Sequence, residues 1–329
     1  SFNPLYDPKT WQPVEEYCGP ICRPDQLAKV QEAADIAGYV TAQAALETGL
    51  AEGTPVTTGT DDSGAEAISC GVVKPGQMML QLGSSVYMIL GTEGLVDDER
   101  LWREEFIVPG LCDISAGTNT AGSLTKWYRD NLFMDAKAVE AAGGPDAYET
   151  MMADVEAIAP GSDGLITLPY FAGERTPVND PDARGILFGL TLAHTRAHLY
   201  RSALEGVGYS IAQQIAIMRS HENVPIDRII AVGGGTQNPV WMQIIADILG
   251  TPVSTPAVTV GACFGDALMA ALAVKHPGFE SYSALTNYIH GGKTYLPDAE
   301  KHQQYCRFQA IYDKLYLQTL DLMHMLSGN

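Results

Sequence analysis

The chain has 329 residues, of which 46% are hydrophobic and 18% are charged, and its formal net charge is −19. This length is enough for two domains or one large one with a substantial core, and no apolar run approaches the ~18 residues that a membrane-spanning helix needs. So acidic a surface would repel phosphate backbones, which excludes nucleic acid and anionic membranes as favoured partners.

Helical and extended segments alternate through the first half of the chain. The pattern predicts a helix from Gln26 to Gly49, followed by a short buried strand in "GTPVTTG" that enters a glycine turn. The stretch "QMMLQLGSSVYMIL" predicts a β-hairpin around a Gly-Ser-Ser turn. Residues 117–132, "GTNTAGSLTKWYRDNL", predict a loop that leads into a helix, and "GLITLPYF" predicts another strand.

The second half continues this alternation, which is typical of the α/β class. The segment "GERTPVNDPDARG" predicts a long loop, because its prolines would interrupt a helix. Thr195 to Met218 predict a long helix with apolar residues along one side. The strand "DRIIAV" and the turn "GGGTQ" precede a helix that has Asn238 as N-cap, Pro239 at its first position and Gly250 just past its end. A last helix, "GACFGDALMAALAVK", carries small residues suited to close packing.

The glycine cluster in "VGGGTQNPVW" lies between a predicted strand and a predicted helix. Such a turn can present backbone N–H groups to a phosphate, or let a flat ring approach the backbone. A tight structural turn is the alternative. The spacing of Gly233, Gly235 and Asn238 does not fit a dinucleotide-binding fingerprint, and no Gly-Lys-Ser/Thr follows to make a P-loop.

Taken together, six segments resemble the FGGY carbohydrate kinases, a family that includes xylulokinase, ribulokinase and glycerol kinase. In chain order they are "GTDD", "LQLGSS", "AGSLTKW", "LPYFAGERTPVNDPDARG", "VGGGTQNPVWMQIIADILGTPV" and "GACFGDALMAAL". The fourth is most similar to the xylulokinase branch. The resemblance extends over almost the whole chain and implies an α/β fold of the actin and hexokinase type, with two ribonuclease H-like domains hinged around a cleft and ATP held mainly by the second.

The resemblance also implies a division of the chain. Residues 1–73 would be the C-terminal remnant of the first, sugar-binding domain, and residues 74–329 the second, nucleotide-binding domain with its C-terminal helices. The family's phosphate-gripping Asp-x-Gly-Thr/Ser hairpin and most of its sugar-binding residues are not found here. We therefore expect an N-terminal part of the protein to be absent from this chain. Alone, the chain should bind adenine nucleotide weakly and consume no ATP in response to sugar.

The activity that the resemblance implies is ATP-dependent phosphorylation of a small sugar hydroxyl, with D-xylulose or a similar ketopentose as the first expectation and Mg²⁺ bridging the phosphates. A kinase of another polyol, ketose or autoinducer-type substrate is the alternative, and a non-catalytic nucleotide-binding protein is another if the native chain begins at Ser1. Sugar and ATP are the expected partners, and a homodimer stays open. Six scattered cysteines without C-x-x-C spacing indicate reduced thiols in a cytoplasmic protein.

Two adjacent carboxylates, Asp61 and Asp62, stand in "GTDDSGAEAI" with no basic residue within ten positions. The family motif Gly-x-x-Asp, counted from Gly59, implies that Asp62 is the base that accepts the proton of the sugar hydroxyl. Ser63 beside it is carried over as a substrate-binding residue. The structural alternative is that the pair caps a helix beginning at about Ser63. Both interpretations can hold, with Asp61 as the capping residue.

Further positions match nucleotide-binding residues of the family, in three separate turns: Gly83, Ser84, Gly122, Lys126, Gly234 and Asn238. The first two would approach the ATP phosphates, the middle two the ribose and base, and the last two the adenine. Lys126 has a solvated helix lysine as its alternative, and Asn238 has a plain N-cap. Glu174 and Arg175 are expected to form an internal ion pair that shapes the loop near the hinge.

Overall fold

A seven-stranded mixed sheet lies at the centre of the protein, with helices against both of its faces. The computed structural model describes residues 5–7, 10–222 and 224–327. The strands are β1 (Ile36–Tyr39), β2 (Pro55–Thr57), β3 (Gln77–Leu82), β4 (Val86–Thr92), β5 (Trp102–Glu105), β6 (Cys112–Thr118), β7 (Ile166–Leu168), β8 (Ile186–Phe188), β9 (Arg228–Val232), β10 (Val253–Pro256) and β11 (Gly291–Tyr295). The α-helices are α1 (Glu15–Cys18), α2 (Ala42–Thr48), α3 (Asp62–Ser69), α4 (Gly122–Leu132), α5 (Met134–Ala141), α6 (Ala147–Met152), α7 (Arg196–Arg219), α8 (Pro239–Leu249), α9 (Ala262–Ala273), α10 (Tyr282–Leu285) and α11 (Ala299–Ser327).

The strand order in the central sheet is β11-β10-β9-β3-β4-β6-β5. Strands β10, β9 and β3 run parallel, while β3, β4, β6 and β5 form antiparallel pairs and β11 runs antiparallel to β10. Helix α8 makes the crossover from β9 to the parallel strand β10, as a parallel pair requires. Two small antiparallel ribbons, β1 with β2 and β7 with β8, lie outside this sheet. The α/β class predicted from the alternation of elements is confirmed.

Strand β3 is buried on both faces of the sheet, which explains its nearly continuous apolar sequence. Met78 and Leu80 belong to the large core that also contains residues of α4, α7, α8 and α11. Met79 faces the other way, toward Ala67 of α3 and Ile230 of β9. The hairpin that β3 forms with β4 was predicted and is confirmed. Helix α3 therefore packs against one face of the sheet, with α9 on its outer side, and α4, α7 and α8 pack against the other face.

The helix predicted from Thr195 to Met218 is confirmed as α7, with Thr195 at its N-cap position. The apolar residues that the sequence places along one side, among them Val207, Ile215 and Met218, lie in the core as predicted. Tyr200, Leu204 and Ile211 are buried, but so are polar residues on other sides of the helix, such as Ser210. The reason is that α7 lies between the sheet, α8 and α11, so it has little solvent-facing surface. No helix in the described ranges is both long and apolar enough to cross a bilayer.

The two predictions for the segment before α3 were wrong in part. Instead of one helix from Gln26 to Gly49, the chain forms strand β1 and then the short helix α2, which Thr41 caps by accepting a hydrogen bond from the Ala44 amide. Pairing of β1 with β2 overrides the helix propensity of this Ala-rich segment. Strand β2 exists, but it is not buried, because Pro55 and Val56 lie at the surface and Val56 is 47% exposed.

Two helices have the local features that the sequence predicted. In α8, the Asn238 side chain accepts hydrogen bonds from the amides of Val240 and Trp241, and Gly250 ends the helix in the left-handed conformation. In α9, Gly265 lies directly against the backbone of α3, since a Cβ atom there would come within 1.8 Å of the Ala65 carbonyl oxygen. This contact fixes α3 on α9. It crosses the boundary predicted between residues 73 and 74, and that boundary stays a prediction.

Candidate functional site

The three turns that carry the predicted nucleotide-binding residues meet at one edge of the central sheet. Strands β3 and β9 are parallel neighbours and both end at this edge, where Gln81 is paired with Val232. Strand β6 ends here too, because Thr118 is paired with Val86, the first residue of β4. The turns that follow β3, β6 and β9 therefore lie side by side, although they are far apart in the sequence. Carboxyl ends of neighbouring parallel strands are a usual position for ligand sites in α/β folds.

The turns after β3 and β6 are in direct backbone contact. The Gly122 amide donates to the Gly83 carbonyl oxygen at 2.9 Å, and the amides of Ala121 and Ser123 donate to the Ser84 carbonyl oxygen at 2.9 and 3.0 Å. A Cβ atom on Gly122 would lie 2.6 Å from the Gly83 oxygen, so only glycine fits at this position. The structure thus brings together three of the residues that the sequence singled out.

Ser84 is exposed at the tip of the first turn. In the part of the chain that the structure describes, neither the amide nor the hydroxyl of Ser84 donates to a protein acceptor. Its carbonyl oxygen accepts hydrogen bonds from residues at the start of α4. The first amides of α4 are used within the protein and are not available to a ligand. Any anion bound at this turn would therefore be met by the N–H and O–H groups of Ser84.

The three glycines of the third turn, after β9, have different surroundings. Gly233 has a φ of 90° and would place a Cβ atom 2.6 Å from the Leu82 carbonyl oxygen, and a Cβ atom on Gly235 would come within 2.8 Å of the Leu82 side chain. Glycine is therefore needed at positions 233 and 235 for the turn to pack against β3. Gly234 has nothing within 4 Å of its Cβ position, so it faces open space. A flat ring could approach the backbone at that point.

Lys126 and Asn238 are engaged in the way that their structural alternatives describe. The Lys126 Nζ atom lies 2.5 Å from Asp130 Oδ2, one helical turn along α4, and its side chain is 63% exposed. Asn238 is the N-cap of α8. Both lie near the glycine turns, but the contacts they make are accounted for by the protein alone. Their binding roles stay predictions.

The adjacent carboxylates at the start of α3 have different environments. Asp61 Oδ1 accepts a hydrogen bond from the Gly64 amide at 2.8 Å, which makes Asp61 the N-cap, as predicted. Asp62 is exposed, and within the described residues its carboxylate is contacted only by the amide and hydroxyl of Ser63, at 2.9 and 3.4 Å. Asp61 therefore serves the helix, while Asp62 stays accessible to a ligand.

Three buried carboxylates had not been singled out as site residues, and two of them, Glu66 and Glu174, contact residues at this edge. Glu66 on α3 accepts a hydrogen bond from Gln81 Nε2 of β3. Glu174 accepts from Thr118 Oγ1 and from the Asn119 amide at 3.0 Å, so it holds the turn after β6. Asp113 of β6 is 2% exposed, and its Oδ1 atom has no hydrogen-bond partner among the described residues.

The expected ion pair between Glu174 and Arg175 is not formed. The Glu174 carboxylate is 3% exposed and receives the Arg175 backbone amide at 2.7 Å, while the Arg175 side chain is exposed. A guanidinium keeps more of its hydration at the surface, and the two amides and the Thr118 hydroxyl satisfy the carboxylate without it. Burial raises the pKa of Glu174 to about 7.

Ionisation of Asp113 should make the free energy of unfolding fall as the pH rises from about 4 to about 8. Burial, reinforced by the charges of Glu104 and Asp61, raises the pKa of Asp113 from 3.8 to about 8. The folded state therefore binds this proton more tightly than the unfolded state. The resulting stabilisation is complete below pH 3.8 and is lost as the pH rises through about 8.

Asp113→Asn keeps the neutral shape and cannot ionise. Between about pH 5 and pH 8 the wild-type protein should lose on the order of 1–3 kcal/mol of stability through this group, and Asp113→Asn should not show this loss. Urea unfolding of both proteins across this range measures the difference, and Glu174 contributes equally to both. Asp97→Asn, at a side chain that is 95% exposed, is the control that should leave the slope unchanged. Equal slopes for wild type and Asp113→Asn would contradict the expectation.

Comparison with known proteins places these features in context. A family model described as "FGGY family of carbohydrate kinases, C-terminal domain" matches residues 79–274, which is more than half of the chain. A xylulose kinase from Lactococcus lactis is 29% identical over 303 residues, covering 91% of this chain and 58% of the relative. A gluconokinase from Bacillus subtilis is 27% identical over 296 residues, covering 89% of this chain and 57% of the relative.

Among solved structures, a xylulose kinase from Rhodospirillum rubrum superimposes with a TM-score of 0.83 and 30% sequence identity, covering 97% of this chain and 63% of that one. The likeness confirms the fold that the sequence motifs implied. The chain spans 57% to 63% of the length of these relatives.

Proposed function

Since the chain belongs to the FGGY family of carbohydrate kinases, we propose that it takes part in the ATP-dependent phosphorylation of a sugar hydroxyl. The observation that carries the proposal is the convergence of three glycine turns at one sheet edge, beside the start of a helix whose first carboxylate is exposed. The substrate we propose is D-xylulose or a similar ketopentose. Xylulose kinases among the relatives support that choice.

The nucleotide would bind across the three turns. The open space at Gly234 suits the adenine ring, and the N–H and O–H groups of Ser84 suit a phosphate oxygen. Gly83 and Gly122 contribute by letting two backbone segments touch, which brings Ser84 to the edge. A protein of net charge −19 needs such local donors to hold an anion.

Asp62 would act as the general base. As the sugar oxygen bonds to the γ-phosphorus, the bond from that phosphorus to the bridging oxygen breaks, ADP leaves, and the hydroxyl proton passes to the Asp62 carboxylate. Ser63, whose hydroxyl lies 3.4 Å from Asp62 Oδ1, would orient that carboxylate or the sugar. Asp61 is not the proposed base, because its Oδ1 atom accepts the hydrogen bond from the Gly64 amide that caps α3.

Mg²⁺ is the metal that this chemistry uses. The described residues hold no group of three or more His, Cys, Asp or Glu side chains that could form a protein cage for it. That arrangement fits Mg²⁺, which commonly keeps several waters and binds through substrate phosphates with one or two carboxylates. The ion would offset the phosphate charge against the acidic protein.

We further propose that the division into residues 1–73 and 74–329 separates a sugar-side part from a nucleotide-side part. Asp62 lies in the first and the three glycine turns lie in the second. The relatives are longer than this chain, and polypeptide outside residues 1–329 would supply most of the sugar contacts.

A second candidate is the phosphorylation of a sugar acid such as gluconate, which the gluconokinase relative favours. The chemistry at Asp62 and the nucleotide turns would be the same. Only the groups that bind the remainder of the substrate would differ.

The test is ADP release by the full gene product, measured in a coupled assay with D-xylulose, D-ribulose, glycerol and gluconate. Stimulation by one ketopentose above the others supports the first proposal, and stimulation by gluconate supports the second. Nucleotide binding without stimulation by any acceptor would leave a non-catalytic nucleotide-binding protein. The same assay on residues 1–329 alone, with calorimetry of an ATP analogue, tests whether further polypeptide is needed.

Gly234→Val should weaken ATP binding by about tenfold or more, because a branched side chain would occupy the space proposed for the adenine ring. The fold should tolerate it, since the Cβ position is open. Gly94→Val is a matched control, because its Cβ position is equally open and it follows β4 at the opposite edge of the sheet. Calorimetry with an ATP analogue measures both variants. Unchanged affinity in a folded Gly234→Val protein would remove this turn from the site.

A further inference from the structure

One contact joins the helix that carries Asp62 to the strand that leads into the Ser84 turn. Glu66 lies four residues after Asp62, so the two side chains point to the same side of α3, one turn apart. Unlike Asp62, Glu66 is only 9% exposed. Its carboxylate accepts a hydrogen bond from Gln81 Nε2, and Gln81 is the residue before Leu82, where β3 ends.

The other oxygen of the Glu66 carboxylate lies against the residue before α9. A Cβ atom on Gly261 would come within 2.6 Å of Glu66 Oε1, and Gly261 has a φ of 58°, in the left-handed region that favours glycine. One buried side chain therefore contacts the end of β3 and the start of α9. With the close approach of Gly265 to Ala65, these contacts determine where the first turn of α3 stands.

Burial of the Glu66 carboxylate at this position is unfavourable in free energy. Burial raises the pKa of Glu66, and the nearby negative charge of Asp62 raises it further, while the hydrogen bond from Gln81 lowers it. An apolar side chain could join a helix to a sheet without desolvating a charge. What the Glu66–Gln81 bond adds over apolar packing is direction, because a hydrogen bond restricts both the distance and the angle between the two elements.

A fixed orientation of α3 matters because, among the described residues, no contact from outside this helix fixes the Asp62 side chain. Its carboxylate is contacted only by Ser63, the next residue of the same helix. The distance from Asp62 to a phosphate at Ser84 is therefore set by the placement of α3 relative to β3. A displacement of about 1 Å between reacting groups can lower a rate by about 10²-fold.

We propose that Glu66 and Gln81 form a positioning pair that holds Asp62 at reacting distance from the turn at Ser84. This role rests on the proposed kinase function. Neither side chain touches the substrate. The pair acts by fixing α3 against the end of β3.

The experiment measures kcat and KM for ATP and for the sugar in the full gene product. Glu66→Ala and Gln81→Leu remove the bond, and each should lower kcat by about tenfold or more with KM for ATP within about threefold of wild type. Glu66→Gln keeps an acceptor for Gln81 and should retain kcat within about threefold. The exchanged pair, Glu66→Gln with Gln81→Glu, restores the bond with donor and acceptor reversed and should recover most of the kcat that Gln81→Glu alone loses.

Unchanged kcat in a folded Glu66→Ala protein would overturn the proposal, and so would a loss that appears in KM for ATP alone. A loss of kcat that the exchanged pair does not recover would also overturn it. If Glu66→Ala does not fold, judged by circular dichroism, Gln81→Leu and the exchanged pair decide the question. A wild-type protein that no sugar stimulates would instead refute the kinase function itself, and the positioning role with it.

Discussion

Replacing Asp62 by asparagine should lower kcat by about 10²- to 10⁴-fold in the full gene product, the usual contribution of a general base. The amide has nearly the same shape and still accepts hydrogen bonds from Ser63, but it cannot take the proton of the sugar hydroxyl. The Kd for an ATP analogue should change by less than about threefold, because the proposed role of Asp62 is to contact the sugar and not the nucleotide. Steady-state kinetics and calorimetry on the same preparation measure both quantities.

Asp61→Asn is the matched control for this change. Asn is as good an N-cap as Asp, so the hydrogen bond from the Gly64 amide can be kept and α3 should stay in place. We expect kcat to fall by less than about threefold. If Asp61→Asn were the more damaging of the two substitutions, the base would be Asp61, and the count from Gly59 that identified Asp62 would be wrong.

Elements with specific residues at their ends could be predicted from the sequence. Helix α8 is such a case, because Asn238, Pro239 and Gly250 each satisfy a requirement of a helix end locally. The difference between Asp61 and Asp62 also follows from local geometry, since only the residue just before α3 can reach the Gly64 amide. These features need no knowledge of distant parts of the chain.

The segment from Gln26 to Gly49 could not be predicted in this way. Its alanines and glutamates favour a helix, yet Ile36 pairs with Thr57 and Tyr39 pairs with Pro55 in the β1–β2 ribbon. The exposure of Val56 could not be predicted either, because an apolar side chain does not indicate which neighbours will cover it. Strand pairing and burial depend on long-range contacts, which outweigh local propensity.

The supporting carboxylates of the site show the same limit. Glu66 contacts Gln81 at a separation of 15 residues, and Glu174 contacts Thr118 at a separation of 56. Neither pair has a spacing that marks it in the sequence. A glutamate beside an arginine, as at Glu174, favours an ion-pair interpretation that the folded chain does not adopt. Residues that could meet a ligand were thus found by motif, whereas those that hold them in place needed the structure.

Removal of the Glu205 side chain should have the largest effect on stability among the substitutions considered, because it leaves a buried arginine unpaired. Arg201 and Glu205, one turn apart on α7, are 7% and 0% exposed, and their Nε and Oε1 atoms lie 2.9 Å apart. Glu205 also accepts hydrogen bonds from the Gly161 amide and the Ser162 hydroxyl, at 3.1 and 2.8 Å. Tyr305 of α11 donates to Glu205 and accepts from Arg201, at 3.0 Å each.

Glu205→Ala should therefore destabilise the fold by about 3–5 kcal/mol, measured by urea unfolding, because the charge of Arg201 would remain buried without its partner. Asp135→Ala is the matched control on the same helix. It removes the partner of Arg196, in a pair whose side chains are 48% and 61% exposed, and should cost about 0–1 kcal/mol. Equal costs for the two substitutions would show that burial does not determine the strength of these pairs.

The double variant Arg201→Met with Glu205→Leu tests whether the unpaired charge of Arg201 causes the loss of stability. Replacing a buried pair by apolar side chains of similar size is often nearly neutral, whereas removing one partner leaves an uncompensated charge. Here the Gly161 amide and the hydroxyls of Ser162 and Tyr305 also lose their partner, which costs about 1–3 kcal/mol for each group that stays buried and unsatisfied. We still expect the double variant to be more stable than Glu205→Ala, since no charge remains inside. A double variant no more stable than Glu205→Ala would mean that those hydrogen bonds, which both variants lose, account for the cost, and not the unpaired guanidinium.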